Sequence, residues 1–249
     1  MSRSADNVPG PGGAERGRRA GGRRAVVFLN GEYAADEAFY RALAGAADLV
    51  VAADGGAAVM RRLGIRPDVV VGDLDSLSLA DAGALGAQGV PLKRHPLRKD
   101  ETDAELAVAE ALKRGVAEVT LTGALGGAFD HALGAVALLR RLARNGVAAR
   151  IAEPGLTAVV ARAPALYRAR APRGTRFSLA PLTATTVVSL RGFEYELQRG
   201  RLLADAARGL GNSLLRSGAV VELHEGAAAL LLFHGGPAAL SPAEGRRRK

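Results

Sequence analysis

The sequence predicts an α/β fold: an N-terminal Rossmann-like parallel sheet with helices on both faces, followed by a smaller C-terminal antiparallel β-sandwich. Between residues 25 and 153, short apolar runs alternate with helix-length runs, as expected for parallel strands covered on both faces. After Pro154, Gly, Pro and Asn separate short strand-like runs and no long helical pattern appears, which indicates antiparallel β-structure. A chain of 249 residues that is 48% hydrophobic can bury a core for both parts.

The individual elements follow from these runs. The first part has strand-like runs at Ala25–Leu29, Leu49–Ala53, Val69–Val71, Val119–Leu121 and Val147–Ile151. Helical runs lie between them at Glu37–Ala44, Ala57–Leu63, Asp103–Arg114 and His131–Arg144. Thr102, followed three residues later by Glu105, has the pattern of a capping box at the start of the third helix. The second part has strand-like runs at Thr157–Val160, Ala165–Arg168, Arg176–Ser178, Thr186–Leu190, Gly218–Leu223 and Ala229–Phe233.

Two basic tails flank the predicted domains, which span residues 25–153 and 154–234. Residues 1–24 are rich in Gly, Arg and Ala without apolar periodicity, so we expect a disordered tail, and residues 235–249 form a second basic tail. Of the net charge of +9, the first tail carries +4 (six Arg, two acidic residues) and the second +3 (four basic, one acidic). Because the body is nearly neutral and only 4% of residues are aromatic, a protein that binds nucleic acid through its tails is a minor alternative.

Composition also argues against a membrane protein and against cysteine-based chemistry. No apolar run approaches the ~18 residues of a membrane span, so no membrane segment is predicted. The chain has no cysteine, which excludes disulfides, zinc–thiolate sites and thiol catalysis. These features are compatible with a cytoplasmic location, which we expect.

Four polar clusters follow predicted strands, at the edge where open α/β sheets bind ligands. They are Ala53–Ala57, Gly72–Ser76, Lys99–Asp103 and Gly123–His131. Asp73 and Asp75 repel each other, so a fold that gathers them usually supplies a cation, and oxygen ligands favour Mg²⁺. The Gly-rich fourth cluster suits phosphate, although it is neither a Walker A sequence nor a Rossmann fingerprint. Each cluster alone also fits an ordinary turn or helix cap.

Together the clusters closely resemble the thiamine pyrophosphokinase family. The matching motifs are Asp54–Ala57, Gly72–Ser76, Asp100–Asp103 and Gly126–His131, and the resemblance extends to Asn30-Gly31, Gly64–Asp68 and Phe177–Leu182. It implies an α/β catalytic domain, a C-terminal β-sandwich, and a homodimer with thiamine bound between subunits. It also implies a reaction in which the terminal pyrophosphate of ATP moves to the hydroxyl of thiamine and AMP is released.

The resemblance further implies roles for single residues. The metal ligands for Mg²⁺ would be Asp73, Asp75 and Asp103, with Asp54 nearby. The catalytic residues would be Asp73, Asp75, Asp100 and Asp103, and either Asp100 or Asp73 would accept the proton of the hydroxyl. The nucleotide would contact Asp54, Gly55, Gly56, Ser76, Thr102, Gly126, Gly127, Asp130 and His131. Thiamine would contact Asp100, Thr102 and Asn212.

Three positions depart from the usual pattern of this family. Ala128 stands where the glycine loop usually has Arg, Ala58 where Asn is common, and Gly211 where a Ser usually precedes the Asn. The loss of the Arg removes a bidentate phosphate contact. Two alternatives therefore stay open: a pyrophosphokinase for another hydroxymethyl heterocycle, such as a pterin, and a regulator that binds nucleotide or thiamine without catalysis.

Overall fold

The computed structural model describes residues 22–236 and 238–243. Most of the predicted N-terminal tail and the basic residues 246–249 lie outside the described residues. Within the described ranges, strands and helices alternate up to residue 153, and only strands follow. No helix among them is long and apolar enough to cross a membrane.

The first part contains six strands and five helices within the described residues. They are β1 Arg23–Phe28, α1 Glu37–Gly45, β2 Leu49–Ala53, α2 Gly56–Arg62, β3 Val69–Gly72, α3 Leu79–Ala87, β4 Leu92–Arg94, α4 Asp103–Lys113, β5 Val116–Thr122, α5 Phe129–Arg144 and β6 Ala148–Glu153. The strands that follow are β7 Leu156–Arg162, β8 Ala165–Arg170, β9 Arg176–Pro181, β10 Thr185–Arg191, β11 Leu197–Leu203, β12 Asn212–Ser213, β13 Ala219–Glu225, β14 Ala227–Phe233 and β15 Ala239–Pro242.

One ten-stranded sheet runs through both parts of the chain. Its order is β12-β9-β14-β7-β6-β5-β1-β2-β3-β4, and the half from β6 to β4 is parallel. A tight turn after Glu153 sends the chain back as β7, antiparallel to β6. A second sheet, β11-β10-β13-β8-β15, is wholly antiparallel. The predicted fold class is thus confirmed, but the sheet continues across the boundary predicted at residues 153–154.

The parallel strands are apolar on both faces because each face is covered by helices. Val27 packs with Val108 of α4 and Leu138 of α5 in one core cluster. Its neighbour Val26 points to the opposite face and belongs to the cluster of Met60 in α2. A strand between two helical layers cannot show polar alternation, which explains the uniform runs in the sequence.

The sandwich joins the antiparallel half of the large sheet to the second sheet. Side chains from β7, β9 and β14 share a core with side chains from β10 and β13. Phe177 of β9 and Phe193 lie at its centre with ring centroids 4.7 Å apart, and neither is exposed.

Several elements were not predicted. Helix α3 has the sequence Leu-Ala-Asp-Ala-Gly-Ala-Leu-Gly-Ala, whose two Gly weaken its helical signal, but Ser78 caps it by accepting a hydrogen bond from the Asp81 backbone. Strand β4 is a short, half-exposed edge without an apolar run. Strand β15 pairs with β8 inside the segment interpreted as a C-terminal tail, and Arg23 and Arg24 belong to β1 rather than to the N-terminal tail.

Candidate metal and nucleotide site

Three carboxylates converge at the carboxyl edge of the parallel strands. Asp54 follows β2, Asp73 follows β3, and Asp103 begins α4. One oxygen from each side chain lies within 4.8 Å of the others. Because β2 and β3 are adjacent and in register, with the Asp54 N–H donating to the Val71 carbonyl (2.9 Å), the residues that follow them are held side by side. We call Asp54, Asp73 and Asp103 the carboxylate cluster.

Asp54 is the buried member of the carboxylate cluster. It is 4% exposed, and its backbone lies in the left-handed region with φ 44°. Its Oδ1 is buried and, within the described residues, has no hydrogen-bond partner. An unpaired buried carboxylate oxygen is costly, and a cation bound beside it would remove that cost. The cluster therefore fits a hard divalent cation such as Mg²⁺, which prefers carboxylate oxygen.

Among the residues that the structure describes, Lys99 is the cationic side chain that forms ion pairs with the carboxylate cluster. Its Nζ lies 2.7 Å from Asp103 Oδ1 and 3.7 Å from Asp73 Oδ2, and its side chain is only 11% exposed. Desolvation acts to lower the pKa of Lys99, but the hydrogen bond to Asp103 and the neighbouring carboxylates outweigh it and raise that pKa. No role was predicted for Lys99 at this cluster. Its spacing of four residues from Asp103 was the available signal.

Asp75 does not belong to the carboxylate cluster. Its side chain is exposed and accepts a hydrogen bond from Ser76 Oγ (3.1 Å), while its backbone N–H donates to Asp73 Oδ1 (3.1 Å). That backbone hydrogen bond is the main cause of a lowered pKa for Asp73. Leu74 is buried with φ 64°, and this turn separates the two carboxylates. The observed cluster thus contains Asp54 where the predicted ligand set had Asp75; binding of a cation by Asp75 stays a prediction.

A cavity of about 520 Å³ adjoins the carboxylate cluster, since Asp103 belongs to the cluster and also lines the cavity. The predicted nucleotide contacts that line it are Thr102, Gly126, Asp130 and His131. Asn30, Gly31 and the start of α5 complete much of its wall. Gly55, Gly56, Gly127 and Ser76 are not among its lining residues, so the structure gathers only part of the predicted nucleotide set around this cavity.

Gly55 and Gly56 are required for packing within the fold, because no side chain fits at either position. A Cβ on Gly55 would collide with the Asn30 side chain, and one on Gly56 would collide with the Phe28 carbonyl oxygen. The two glycines therefore allow the start of α2 to pack closely against the end of β1. Gly126 has both roles, because it lines the cavity and a Cβ there would lie 2.6 Å from Glu32 Cβ.

The start of α4 is fixed by the predicted capping box. Thr102 Oγ1 accepts a hydrogen bond from the Glu105 N–H (3.3 Å), and Glu105 Oε2 accepts one from the Thr102 N–H (2.9 Å). This prediction is confirmed. The capping box therefore fixes the position of Asp103, the first residue of α4 and a member of the carboxylate cluster. Asp100, just before it, is exposed and forms no hydrogen bond or ion pair with the described residues.

Asn212 lies far from the carboxylate cluster within one chain. It is in β12, seven strands from β2 in the large sheet, which corresponds to roughly 30 Å along the sheet. The side chain is buried, accepts hydrogen bonds from the Tyr195 and Ser213 N–H groups (3.0 and 2.8 Å) and donates to the Tyr195 carbonyl (2.8 Å). Asn212 therefore organises the loop at Tyr195, and its contact with thiamine stays a prediction.

Glu153 is a residue of this edge that the sequence interpretation missed. It ends β6 and accepts hydrogen bonds from the Ala124 N–H (2.8 Å) and from Thr122 Oγ1 (3.3 Å), so it holds the beginning of the glycine loop. Burial raises the pKa of Glu153, although these hydrogen bonds oppose the shift. The available signal was its position after a predicted strand, where the other clusters also lie.

We expect Glu153→Ala to lower the free energy of unfolding by about 1–3 kcal/mol, because the Ala124 N–H would lose its acceptor. Glu153→Gln keeps an acceptor and should cost less than about 1 kcal/mol. Since the folded-state pKa is raised, the carboxyl stabilises the fold most below the ordinary value of 4.5, and this contribution is lost as pH rises through the folded-state pKa. Urea unfolding of wild type, Glu153→Ala and Glu153→Gln across that pH range measures both effects; a pH-independent difference between wild type and Glu153→Gln would contradict the assignment.

Comparisons with known proteins show which enzymes the chain resembles. Residues 40–151 match the family model for the thiamin pyrophosphokinase catalytic domain. Thiamine pyrophosphokinase of Bacillus subtilis (strain 168) is 25% identical over 171 residues, which cover 68% of this chain and 79% of that protein. Over residues 40–151 the chain is therefore similar to the catalytic domain of thiamine pyrophosphokinases.

Solved structures show the same fold. The crystal structure of thiamine pyrophosphokinase from Bacillus subtilis superposes with a TM-score of 0.75 at 20% identity and covers 85% of this chain and 99% of that one. The structure of yeast thiamin pyrophosphokinase gives a TM-score of 0.73 at 15% identity, covering 86% of this chain and 87% of that one. The likeness extends over both sheets, so the second, antiparallel part is also shared.

Proposed function

We propose that the protein uses Mg²⁺ and ATP to transfer pyrophosphate to the hydroxyl of thiamine, producing thiamine diphosphate and AMP. The observation that carries the proposal is the carboxylate cluster with the unpaired Asp54 Oδ1, placed beside a glycine-lined cavity. Similarity to thiamine pyrophosphokinases supports the choice of acceptor and donor. A cytoplasmic location stays a prediction.

The roles proposed for the residues follow from their positions. Asp54, Asp73 and Asp103 would hold Mg²⁺, which when bound neutralises charge on phosphate oxygens. The helix starts at Thr102 and Asp130 line the cavity, and the positive ends of helix dipoles favour phosphate there. Transfer of this kind depends mainly on positioning and charge neutralisation.

Asp100 is our choice for the group that accepts the proton of the hydroxyl. Asp73, the other candidate, already accepts a hydrogen bond from the Asp75 N–H and lies near Lys99. Asp100 is exposed, three residues before the N-terminal residue of α4, and forms no hydrogen bond or ion pair with the described residues. Its carboxylate is therefore the one available to a hydroxyl entering from solvent.

We also propose a homodimer in which the acceptor site lies between subunits. The support is the distance of roughly 30 Å between Asn212 and the carboxylate cluster in one chain. If Asn212 and the carboxylate cluster both contribute to one thiamine site, Asn212 must come from a second copy of the chain. Sedimentation or light scattering measures the oligomeric state, and a monomer with full activity would contradict this part of the proposal.

The test of the reaction uses purified full-length protein with ATP, Mg²⁺ and thiamine, and separates AMP and thiamine diphosphate by chromatography. We expect both products in equal amounts, and an authentic thiamine pyrophosphokinase run in parallel controls the assay. AMP release with a hydroxymethyl pterin but not with thiamine would favour the other pyrophosphokinase. Calorimetric binding of thiamine without AMP release would favour the regulator. Ala128, the N-cap of α5 with no side-chain capping bond, is the departure that keeps these alternatives relevant.

A further inference from the structure

Lys99 forms an internal ion pair with the residues proposed to hold the metal. We propose that Lys99 is a built-in competitor of the divalent cation: its ammonium neutralises the carboxylate cluster in the metal-free protein and must move away when the cation binds. This inference rests on the proposed function, because it takes the cluster to be the metal site. Its consequence is that free divalent cations bind more weakly than the three carboxylates alone would allow.

The contacts of Lys99 place its ammonium on the ligand atoms. Its Nζ is 2.7 Å from Asp103 Oδ1 and 3.7 Å from Asp73 Oδ2, so it contacts two of the three carboxylates. Its side chain is 11% exposed, and at such a site two positive charges a few ångströms apart repel each other strongly. A cation that enters between these carboxylates therefore meets the ammonium directly.

The position of Lys99 in the chain allows this movement. It lies three residues before Thr102, outside the first turn of α4, and four rotatable side-chain carbons separate its ammonium from the backbone. The ammonium can thus leave Asp103 without a change in the helix start that the capping box fixes. By contrast, Asp54 Oδ1 is buried without a partner among the described residues, so Lys99 neutralises the cluster only in part.

The chain offers a matched control at Lys93. Its Nζ lies 2.7 Å from Glu110 Oε2, the same distance as in the pair of Lys99 with Asp103. Glu110 is also paired with Arg114 (2.7 Å), and Lys93 is 47% exposed. Lys93→Met therefore removes the same charge from a similar ion pair outside the carboxylate cluster.

The first experiment titrates Mn²⁺ without nucleotide and follows free Mn²⁺ by electron paramagnetic resonance. We expect Lys99→Met to bind Mn²⁺ about tenfold more tightly than wild type, and Lys93→Met to stay within about twofold of it. Lys99→Arg keeps the charge and should lie closer to wild type than Lys99→Met. Equal or weaker binding by Lys99→Met, or no binding by any variant, would overturn the proposal.

A second measurement uses thermal unfolding. In EDTA, Lys99→Met should have a lower Tm than wild type, because the carboxylates repel one another without their counter-ion. Excess MgCl₂ should then raise the Tm of Lys99→Met by more than it raises that of wild type. Equal increments would contradict competition. Both readouts require no substrate, so they remain decisive even if the protein forms no thiamine diphosphate.

Discussion

Asp54→Asn should lower turnover by about 1,000-fold and at the same time stabilise the metal-free protein. The side chain keeps its shape, and Asn tolerates the left-handed backbone that Asp54 adopts with φ 44°. What it loses is one anionic ligand of the carboxylate cluster, and weaker binding of a cation that would neutralise charge in the transition state costs orders of magnitude in rate.

The gain in stability has a separate cause. Asp54 is 4% exposed and its Oδ1 has no partner in the described part of the chain, so the fold bears the cost of an uncompensated carboxylate. The Asn amide is neutral and can donate a hydrogen bond to the neighbouring carboxylates. We expect the free energy of unfolding in EDTA to rise by about 1 kcal/mol.

Two assays and one control test this prediction. AMP formation at saturating ATP, Mg²⁺ and thiamine gives turnover, and urea unfolding in EDTA gives stability. Asp36→Asn is the matched control, since Asp36 caps α1 by accepting a hydrogen bond from the Phe39 N–H (3.1 Å) and Asn caps as well as Asp. Its turnover should equal that of wild type. An Asp54→Asn protein with more than a tenth of wild-type turnover would remove Asp54 from the metal site.

The parallel half of the fold was predictable because both faces of its strands are buried. Uniform apolar runs such as Leu49–Ala53 leave no other interpretation in a chain where helical runs alternate with them. The continuity of the sheet across Glu153 was not predictable. Whether β7 pairs with β6 or starts a separate sheet depends on a turn of two residues and on the partners of β14, which lie some 70 residues later.

The sequence was sufficient to predict that carboxylates gather at this edge of the sheet, but not which carboxylates form the cluster. Asp73 and Asp75 are close in sequence and were therefore predicted to bind one cation together. The backbone turn at Leu74 separates their side chains, and Asp54, which follows the adjacent strand β2, lies beside Asp73 instead. Strand neighbours that are distant in sequence decide which side chains meet. The contact of Lys99 with Asp73 was hidden for the same reason, since Asp73 lies on another element.

We expect Gly72→Ala to lower both stability and turnover strongly, because the Gly72 backbone lies directly against Asp54 and Asp103 of the carboxylate cluster. It ends β3 with φ 157°, a conformation that side chains rarely adopt. An added Cβ would lie 2.9 Å from Asp54 Cβ and 3.2 Å from Asp103 Oδ1. The first contact involves an atom next to the backbone, so it can be relieved only by moving the strand end that carries Asp54.

The expected result for Gly72→Ala is a loss of about 3 kcal/mol in the free energy of unfolding, the sum of overpacking and backbone strain, and a turnover at least about 100-fold lower. Gly83→Ala is the control: it lies in α3 with nothing within 4 Å of an added Cβ, and Ala there should keep turnover and gain up to about 1 kcal/mol. Urea unfolding and AMP formation measure both variants. If Gly72→Ala were as stable and active as wild type, Asp54 and Asp103 could not approach each other across this glycine as described, and the carboxylate cluster would lose its geometric basis.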